Sequence, residues 1–332
     1  MTRSSAALDE EFQRSADPYR AELLAHCYRM LGSVHEAEDL VQETYLNAWR
    51  GYPAFEGRSS IRTWLYRIAT NACLSALESR ERRPLPIGLS GDCGDPGLEP
   101  VARAEVPWLE PIPDALLDPA TIVTARESVR LAFVAALQYL PPRQRAVLVL
   151  RDVLKWRAAE VAEILGTTAA AVNSALQRAH AQLASVTPTP ETVTEPTAAR
   201  QRELLDRFVT AFEAKDIPGI VAVFTEDAIM QMPPFPHWYR GRPSIARLVR
   251  TWCPAHTDDL RLVPVHGNGQ PGFATYMRAS AAHRRVPSVT PSPRSFVPWK
   301  LELLELAETG VRQSVSFFDT SLFEVFGLPA AL

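Results

Sequence analysis

The chain has 332 residues, of which 46% are hydrophobic and 22% are charged, and its formal net charge is −3. These values are typical of a globular protein with two or three domains, and they exclude a wholly disordered chain, a collagen-like fibre and a small disulfide scaffold. With this net charge, the chain as a whole is not a basic nucleic-acid-binding protein.

The four cysteines lie far apart, and none belongs to a C-x-x-C pair. This spacing argues against a zinc site and against a disulfide framework, and it suits a reducing compartment. No run reaches the ~18 uncharged apolar residues that a transmembrane helix needs, and the N-terminus lacks the apolar core of a secretory signal. We therefore expect a cytoplasmic protein that needs no metal ion, no cofactor and no membrane.

Two proline-rich segments divide the sequence into three parts. Eight prolines fall within residues 84–119, and TPTPETVTEP occupies residues 187–196. Residues 85–120 carry seven acids and one base, whereas residues 121–186 carry eight bases and four acids. This asymmetry indicates either a basic module with an acidic neighbour or simply a solvated linker beside a solvated domain.

The first part, residues 17–83, is predicted to be helical. Asp17 and Pro18 mark one helix start, and Ser33 with Glu36 forms a capping box at the next. A loop covers residues 51–58, and Ser60 begins a third helix in which Trp64 belongs to the apolar face. This part therefore reads as a small helical bundle.

The second part, residues 122–185, is also predicted to be helical. Pro141 and Pro142 can begin a helix, because the missing N–H of proline has no partner in the first turn. A short helix then ends at Gly166, and a threonine at 167 or 168 caps the next one, whose buried face is Val172, Leu176, Ala179 and Leu183. This pattern is typical of a helix-turn-helix, although an ordinary helical hairpin fits it equally well.

The third part, residues 198–332, combines predicted helices with strand-like runs. A helix around residues 204–212 precedes strand-like runs, and another helix is expected over residues 244–252. The runs are residues 228–232, 273–277, 297–306 and 311–318. We expect an α+β domain with a curved, mostly antiparallel sheet.

Three groups of residues suggest binding to DNA or protein. Tyr52, Phe55 and Arg58 combine aromatic and basic side chains in one loop, which suits stacking on unpaired DNA bases. Glu36, Glu38, Asp39 and Glu43 form an acidic patch on one helix; this patch is either a docking surface or the favourable charge of a helix N-terminus. Backbone contacts to DNA would come from basic residues of the second part: Arg143, Arg145, Arg151, Lys155 and Arg157.

The third part shows no nucleophile motif, metal cluster or phosphate loop. Asp227 would act in proton transfer only if its side chain points into the domain, and its place at a strand start favours a turn. An apolar group forms either a ligand pocket or simply the domain core. Its members are Phe224, Met230, Met232, Trp238, Tyr276 and Phe317.

Taken together, two sets of motifs resemble the extracytoplasmic-function (ECF) sigma factors of RNA polymerase. DLVQET at 39–44 and FEGRSSIRTWLYRIATN at 55–71 resemble sigma region 2. LPPRQRAVLVLRD at 140–152 and AEVAEILGTT at 159–168, with VNSALQRAH at 172–180, resemble region 4. His180 departs from the arginine that is common there.

The C-terminal part resembles a SnoaL-like domain of the NTF2-like fold, on FEAKD at 212–216, FTEDA at 224–228 and WYRG at 238–241. Residues 282–296 depart from that pattern. The resemblance implies region 2 at 17–83, an acidic linker at 84–121, region 4 at 122–186 and a regulatory SnoaL-like domain at 198–332. The expected fold is therefore two all-α sigma modules, a helical bundle and a helix-turn-helix, followed by an α+β cone.

The resemblance also implies partners and roles for individual residues. The partners are core RNA polymerase, through its β′ and β subunits, promoter DNA, and a small ligand or regulatory partner at the C-terminal domain. Asp39, Gln42 and Glu43 would dock on the β′ coiled coil. The −10 element would be bound by Phe55, Arg58, Ser60, Arg62 and Asn71. The −35 element would be read by Thr168, Ala170, Asn173, Ser174, Gln177 and Arg178.

The linker would thread through channels of the polymerase, and the chain would not be an enzyme. Two alternatives remain: an isomerase or cyclase that uses Asp227, and a ligand-sensing repressor. A repressor has no need for DLVQET or for the acidic linker.

Overall fold

The computed structural model describes residues 5–79, 81–89, 93–117, 126–186, 196–282 and 295–332. The chain forms two compact units. Residues 1–83 and 109–189 make the N-terminal unit, and residues 84–108 and 190–332 make the C-terminal unit. The predicted linker at 84–121 is therefore shared between the two units.

The first half of the N-terminal unit consists of four helices. They are α1 (Ser5–Ala16), α2 (Arg20–Leu31), α3 (Val34–Gly51) and α4 (Ile61–Leu77), with 3₁₀ turns at Asp17–Tyr19 and Tyr52–Ala54. A single turn, α5 (Pro86–Leu89), follows in the segment that belongs to the C-terminal unit. Helix α1 was not foreseen from the sequence; it is anchored by Phe12, whose ring packs edge-on against Tyr45 and Tyr52.

The second half of the N-terminal unit is also helical. It contains α6 (Leu131–Leu137), α7 (Pro142–Leu148), a π-helical turn (Val149–Val153), α8 (Ala158–Leu165) and α9 (Ala169–Val186). Short 3₁₀ turns cover Asp114–Leu116 and Arg126–Ser128. Gly166 ends α8 with a φ of 59°, a left-handed conformation that glycine adopts without a steric penalty.

The predicted helix starts are confirmed at two serines. Ser33 Oγ accepts a hydrogen bond from the Glu36 amide at 3.2 Å, and Ser60 Oγ accepts one from the Thr63 amide at 3.0 Å. The carboxylate of Glu36, expected to complete a capping box, lies 2.7 Å from Arg83 Nη2. These caps satisfy amide groups that have no partner within their own helix.

Two buried arginines join the halves of the N-terminal unit. Arg29 of α2 donates to the carbonyl and hydroxyl oxygens of Ser128 at 3.1 and 3.0 Å. Arg145 of α7 donates to the carbonyl oxygens of Met30, Gln138 and Leu140. Burial lowers the pKa of each guanidinium to about 10, a value at which both remain charged near neutral pH.

The second part of the linker belongs to the same unit. Glu110 accepts hydrogen bonds at the N-terminus of α3, from Ser33 Oγ at 2.7 Å and from the Val34 amide at 3.0 Å. The carbonyl of Glu110 accepts from Tyr28 Oη at 2.8 Å, and its amide donates to the Gly32 carbonyl at 2.9 Å. A carboxylate is stabilised at this end of a helix, where amide groups point outward.

The C-terminal unit contains a six-stranded sheet in the order β2-β1-β6-β5-β4-β3. The strands are β1 (Phe224–Gln231), β2 (Trp238–Arg240), β3 (Leu260–Gly267), β4 (Gln270–Arg278), β5 (Phe296–Ala307) and β6 (Gly310–Phe317). Strand β1 pairs in parallel with β6, and the other pairs are antiparallel. The expected α+β domain with a mostly antiparallel sheet is therefore confirmed.

Five helices accompany this sheet. They are α10 (Ala198–Glu213), α11 (Ile217–Val223), α12 (Arg242–Trp252), α13 (Ala279–Ala282) and α14 (Leu322–Val325). The main core includes Phe208, Phe212, Phe224 and Phe273, and its rings Phe208 and Phe273 stack at 5.5 Å. A second cluster contains Tyr276, Phe296 and Phe323.

The buried imidazole of His26 predicts how stability depends on pH. Burial, with a smaller contribution from Arg29, lowers the His26 pKa to about 3, against 6.5 for the unfolded chain. The unfolded state therefore binds a proton at a higher pH than the folded state, so stability falls as the pH decreases below about 6.5. From pH 7 to pH 5 we expect a loss of ~2 kcal/mol from this group.

Urea unfolding followed by tryptophan fluorescence measures this loss in the wild type and in His26→Gln. Glutamine keeps a partner for the Thr70 hydroxyl, which lies 3.0 Å from His26 Nε2, but it does not titrate. The difference in unfolding free energy between the two proteins should shrink by ~2 kcal/mol over that pH range. A difference independent of pH would contradict a neutral, buried His26.

Candidate docking and nucleic-acid surfaces

The exposed face of α3 carries two carboxylates with no salt bridge among the described residues. Within the predicted acidic patch, Glu38 pairs with Arg20 at 2.8 Å, and Glu36 pairs with Arg83. Asp39 and Glu43 are exposed, lie one turn apart and make no such pair. The two explanations of the patch therefore apply to different members: Glu36 and Glu38 serve the fold, and Asp39 and Glu43 are available to a partner.

The same face continues along α3 with polar and apolar side chains. Gln42 is exposed beside Asp39 and Glu43. Leu46 and Trp49, three and six residues beyond Glu43, are 52% and 46% exposed. Large apolar side chains at this exposure, aligned with unpaired carboxylates on one helix face, are typical of a protein-docking surface. Leu46 lies on the side of α3 opposite the buried residues Val41, Thr44 and Ala48, so helical periodicity places it on the exposed face.

The loop after α3 carries a stack of aromatic rings. Tyr52 and Phe55 are nearly parallel with centroids 6.2 Å apart, and Phe55 stacks on Trp64 at 4.8 Å. Trp64 was predicted to lie in the core, but it is only partly buried and belongs to this stack. The three rings are partly buried, so a part of each remains accessible to stack on an unpaired base.

The other residues expected at the −10 element differ in accessibility. Arg58, Ser60 and Asn71 are exposed, although Arg58 forms a surface ion pair with Glu56 at 2.5 Å. Arg62 is held on both sides. It donates to both carboxylate oxygens of Glu22, at 2.8 to 3.1 Å, and its guanidinium lies 4.9 Å from the Trp156 ring centroid. The bonds to Glu22 raise the pKa of Arg62.

Helices α8 and α9 confirm the helix-turn-helix pattern. Val172 and Ala179 are buried, and Leu176 and Leu183 pack partly buried beside them. The residues expected at the −35 element all lie on the exposed side of the N-terminal part of α9 or at its cap: Thr168, Ala170, Asn173, Ser174, Gln177 and Arg178. This helix therefore presents amide, hydroxyl and guanidinium groups together on one face.

Local contacts orient Thr168 and Arg178, and a further contact holds His180. Thr168 Oγ1 accepts from the Ala171 amide at 3.2 Å and so caps α9. Arg178 Nη1 donates to Ser174 Oγ at 2.6 Å, which leaves four of its five N–H groups for a ligand. His180 Nε2 lies 2.5 Å from Asp152 Oδ2, which ties α9 to the π-helical turn.

One expected DNA contact is wrong. Arg145 is expected to contact the phosphate backbone with Arg143, Arg151, Lys155 and Arg157, but its side chain is buried and its N–H groups bind carbonyl oxygens within the protein. A spacing of two residues from Arg143 places it on the opposite side of α7. Arg151 is partly buried and donates to the Trp156 carbonyl at 2.5 Å. Arg143, Lys155 and Arg157 are exposed.

The six apolar residues proposed as a pocket in the C-terminal unit do not form one group. Phe224 and Met230 belong to the main core with Met232 packed against it, whereas Tyr276 belongs to the second cluster. The simpler alternative, that these residues build the domain core, fits this division. Asp227 is exposed, and Thr225 Oγ1 donates to its carboxylate at 3.1 Å, so it does not point into the domain.

A buried ion pair lies within the C-terminal domain. Lys300 Nζ is 2.7 Å from Glu302 Oε2 and 3.1 Å from Ser316 Oγ, and Ser314 Oγ donates to Glu302 Oε1. All four side chains are buried. The pair was not noticed in the sequence, because its residues look like an ordinary polar stripe on a strand. The lysine and the glutamate pair with each other and with the two serines, so the arrangement offers no free acid or base.

The described residues contain no group of three or more potential metal ligands, and none of the described helices is long and apolar enough to cross a membrane.

Three domain families match the chain. Sigma-70 region 2 matches residues 16–83, Sigma-70 region 4 matches residues 130–183, and a SnoaL-like domain matches residues 205–297. The ECF RNA polymerase sigma factor SigG of Mycobacterium tuberculosis (strain H37Rv) is 53% identical over 327 residues, which cover 97% of this chain and 85% of SigG. The chain belongs to the ECF RNA polymerase sigma factors.

Two further comparisons concern SigJ of the same organism. Its sequence is 30% identical over 82% of this chain and 85% of SigJ. Its crystal structure has a TM-score of 0.60 and 24% identity, and the match covers 97% of this chain and all of that one. The predicted family and the predicted combination of helical sigma modules with an α+β SnoaL-like domain are confirmed.

In this ECF sigma factor, substitutions on α9 should separate base contacts from phosphate contacts. If Arg178 or Asn173 touches a base edge, its change to alanine should weaken binding by ~1–3 kcal/mol only where the matching −35 base is present. A phosphate contact would instead weaken binding to all sequences and reduce its salt dependence. Both side chains are exposed, so folding should be unaffected.

Footprinting of mutant holoenzymes on wild-type and base-substituted promoters measures these effects. Arg178→Lys is the matched control, since it keeps the charge but loses the paired N–H donors that guanine requires. If the alanine variants keep the wild-type preference at every −35 base, α9 is not the recognition helix.

Proposed function

We propose that this ECF sigma factor docks on core RNA polymerase through Asp39, Gln42 and Glu43. The observation that carries this assignment is that Asp39 and Glu43 are exposed and lack a salt bridge, whereas the neighbouring acids of α3 are paired. Glu43 accepts one exposed hydrogen bond from Asn47 at 3.5 Å, but neither carboxylate is neutralised by a cation among the described residues, so a basic partner surface fits this face. The resemblance to sigma region 2 supports the β′ coiled coil as that partner.

Promoter DNA is bound by two other surfaces of the N-terminal unit. The ring stack of Tyr52, Phe55 and Trp64, with Arg58, Ser60 and Asn71 nearby in sequence, takes an unstacked base of the −10 element. The exposed face of α9 reads the −35 element in the major groove, whose width admits a helix. Stacking on aromatic rings suits single-stranded DNA, and amide and guanidinium groups suit base edges of a duplex.

Promoter binding requires the N-terminal unit to open. By their position numbers, the −10 and −35 elements are about 25 base pairs apart, which is ~85 Å along B-form DNA at ~3.4 Å per base pair. In the structure the region 2 and region 4 halves are in direct contact, with the rings of Tyr66 and Trp156 4.9 Å apart. Opening at this contact also separates Arg62 from Trp156 and exposes one side of its guanidinium, while its ion pair with Glu22 of the same half remains.

The C-terminal SnoaL-like domain regulates the sigma factor and is not catalytic. The exposed position of Asp227 and the mutual pairing of Lys300 with Glu302 support this assignment, because neither leaves a titratable group facing a pocket. The tether from α9 to α10 is only about ten residues long, so the domain is held at an effective concentration approaching millimolar. Turnover of a small molecule by the full chain, lost in Asp227→Asn, would contradict this assignment.

Reversing both unpaired charges on α3 tests the docking surface. Asp39→Arg combined with Glu43→Arg should lower the affinity for core polymerase on the order of a hundredfold or more, because two attractive contacts become repulsive. The helix content measured by circular dichroism should not change, since neither side chain supports the fold. Titration of labelled sigma factor with core polymerase gives the affinity.

The matched control is Glu203→Arg combined with Asp206→Arg on α10. These acids are also exposed and one turn apart, and their reversal changes the net charge by the same amount. This control should bind core polymerase like the wild type. Equal affinity for the wild type and the α3 variant would overturn the docking assignment.

A further inference from the structure

The first part of the linker runs along the end strand of the C-terminal sheet. Cys93 forms a parallel β-bridge with Trp238 of β2, and the Gly94 amide donates to the Trp238 carbonyl at 2.8 Å. Strand β2 is at the end of the sheet order, so within the sheet it pairs only with β1. A segment that pairs with such an edge adds a strand to the sheet, a common mode of peptide recognition.

Further main-chain groups of the linker are bound on both sides of this bridge. The Ile87 amide donates to Gln231 Oε1 at 3.0 Å, and the Arg103 amide donates to the Pro234 carbonyl at 2.9 Å. The Pro96 carbonyl accepts from Trp252 Nε1 at 3.1 Å. Residues 87–89 and 93–103 therefore contain the anchored groups, and we call these two described stretches the strap.

The strap is held by hydrogen bonds of its main chain more than by buried apolar side chains. Leu98 and Val101 are 68% and 70% exposed, and Ile87 is 42% exposed. A segment with few buried apolar contacts opens at a lower free-energy cost than the core of its domain. The strap is thus built to detach while the SnoaL-like domain remains folded.

We propose that the SnoaL-like domain inhibits the sigma factor by holding the strap against β2. This proposal rests on the proposed sigma function and on the sequence resemblance, which implies that the same acidic linker threads into core polymerase. The strap and the residues just after it carry Asp95, Glu99 and Glu105, so the released segment suits a basic channel. One segment cannot occupy both places, and polymerase therefore competes with β2 for it.

A substitution at Gly94 weakens the state in which the strap is bound to β2 and leaves the released state unaffected. A Cβ atom at Gly94 would lie 2.7 Å from His237 Cβ and 3.0 Å from Tyr239 Cε1, distances that the bound strap cannot accommodate. The backbone of Gly94 does not have a positive φ, so alanine is unstrained in the released linker. Gly94→Ala should therefore detach the strap without disturbing its free form.

The same substitution at Gly97 is the matched control. A Cβ atom there would approach Arg247 Nη2 at 2.5 Å and Cζ at 3.0 Å, and this flexible side chain can move aside. The two variants have the same composition and differ only in whether the new methyl group meets the sheet edge or a mobile guanidinium.

Hydrogen exchange of the full-length chain reports on the strap directly. In Gly94→Ala, the amides at position 94 and of Arg103 should exchange about tenfold faster, the factor expected when a local opening loses about one hydrogen bond. The amount of run-off transcript made with limiting core polymerase should also increase in Gly94→Ala. Gly97→Ala should match the wild type in both measurements. Adding His237→Gly to Gly94→Ala should slow exchange again in part, because the opposing Cβ is removed while the 3.0 Å approach to Tyr239 Cε1 remains.

The outcomes separate this inference from the sigma assignment. Unchanged exchange in Gly94→Ala would show that the strap is not held at β2 and would overturn the inference. Faster exchange with unchanged transcription would overturn its inhibitory role. If none of the proteins supports promoter-dependent transcription, the sigma function fails, while the exchange rates still decide whether the strap is bound.

Discussion

The buried guanidinium of Arg145 is the interaction on which the N-terminal unit depends. It leaves α7 and ends among carbonyl oxygens, one of which belongs to Met30 in the last turn of α2. Such carbonyls have no partner within their own helix and carry the negative end of its dipole, so a buried cation is stabilised there. With Arg29 bound to Ser128, a second cation crosses the same boundary. The contact between region 2 and region 4, including the cover over Arg62, follows from this pair of cations.

The division of labour among the acids explains how one charged helix serves both folding and docking. Glu36 and Glu38 are neutralised by arginines, and Glu110 of the linker supplies the charge at the N-terminus of α3. Asp39 and Glu43 lie on the exposed face and form no salt bridge among the described residues. The linker likewise has two roles: Glu110 and its neighbours belong to the N-terminal unit, while residues 84–108 belong to the C-terminal unit.

Much of the fold follows from local sequence, and the parts that do not are long-range. Ser33, Ser60 and Gly166 act within one turn of the chain, so their roles as helix boundaries were predictable. The carbonyl that Arg145 binds lies 115 positions away in the chain, and the helix end that Glu110 caps lies 76 positions away. No periodic pattern in the sequence indicates contacts over such separations. Strand β2 has only three residues, and β3 contains Pro264 and two polar positions, so neither shows a clear strand pattern. The exposed faces of α3 and α9 were predictable, because helical periodicity separates them from the buried stripe.

Transcription start mapping tests the central claim, that this chain directs promoter-specific initiation, most directly. Core RNA polymerase is mixed with the full-length chain and a genomic DNA library, and the 5′ ends of the transcripts are compared with those from core alone. The account predicts a set of starts that requires the chain and shares two sequence blocks, one near position −10 and one near position −35. Transcripts that begin at the same places with and without the chain would contradict it.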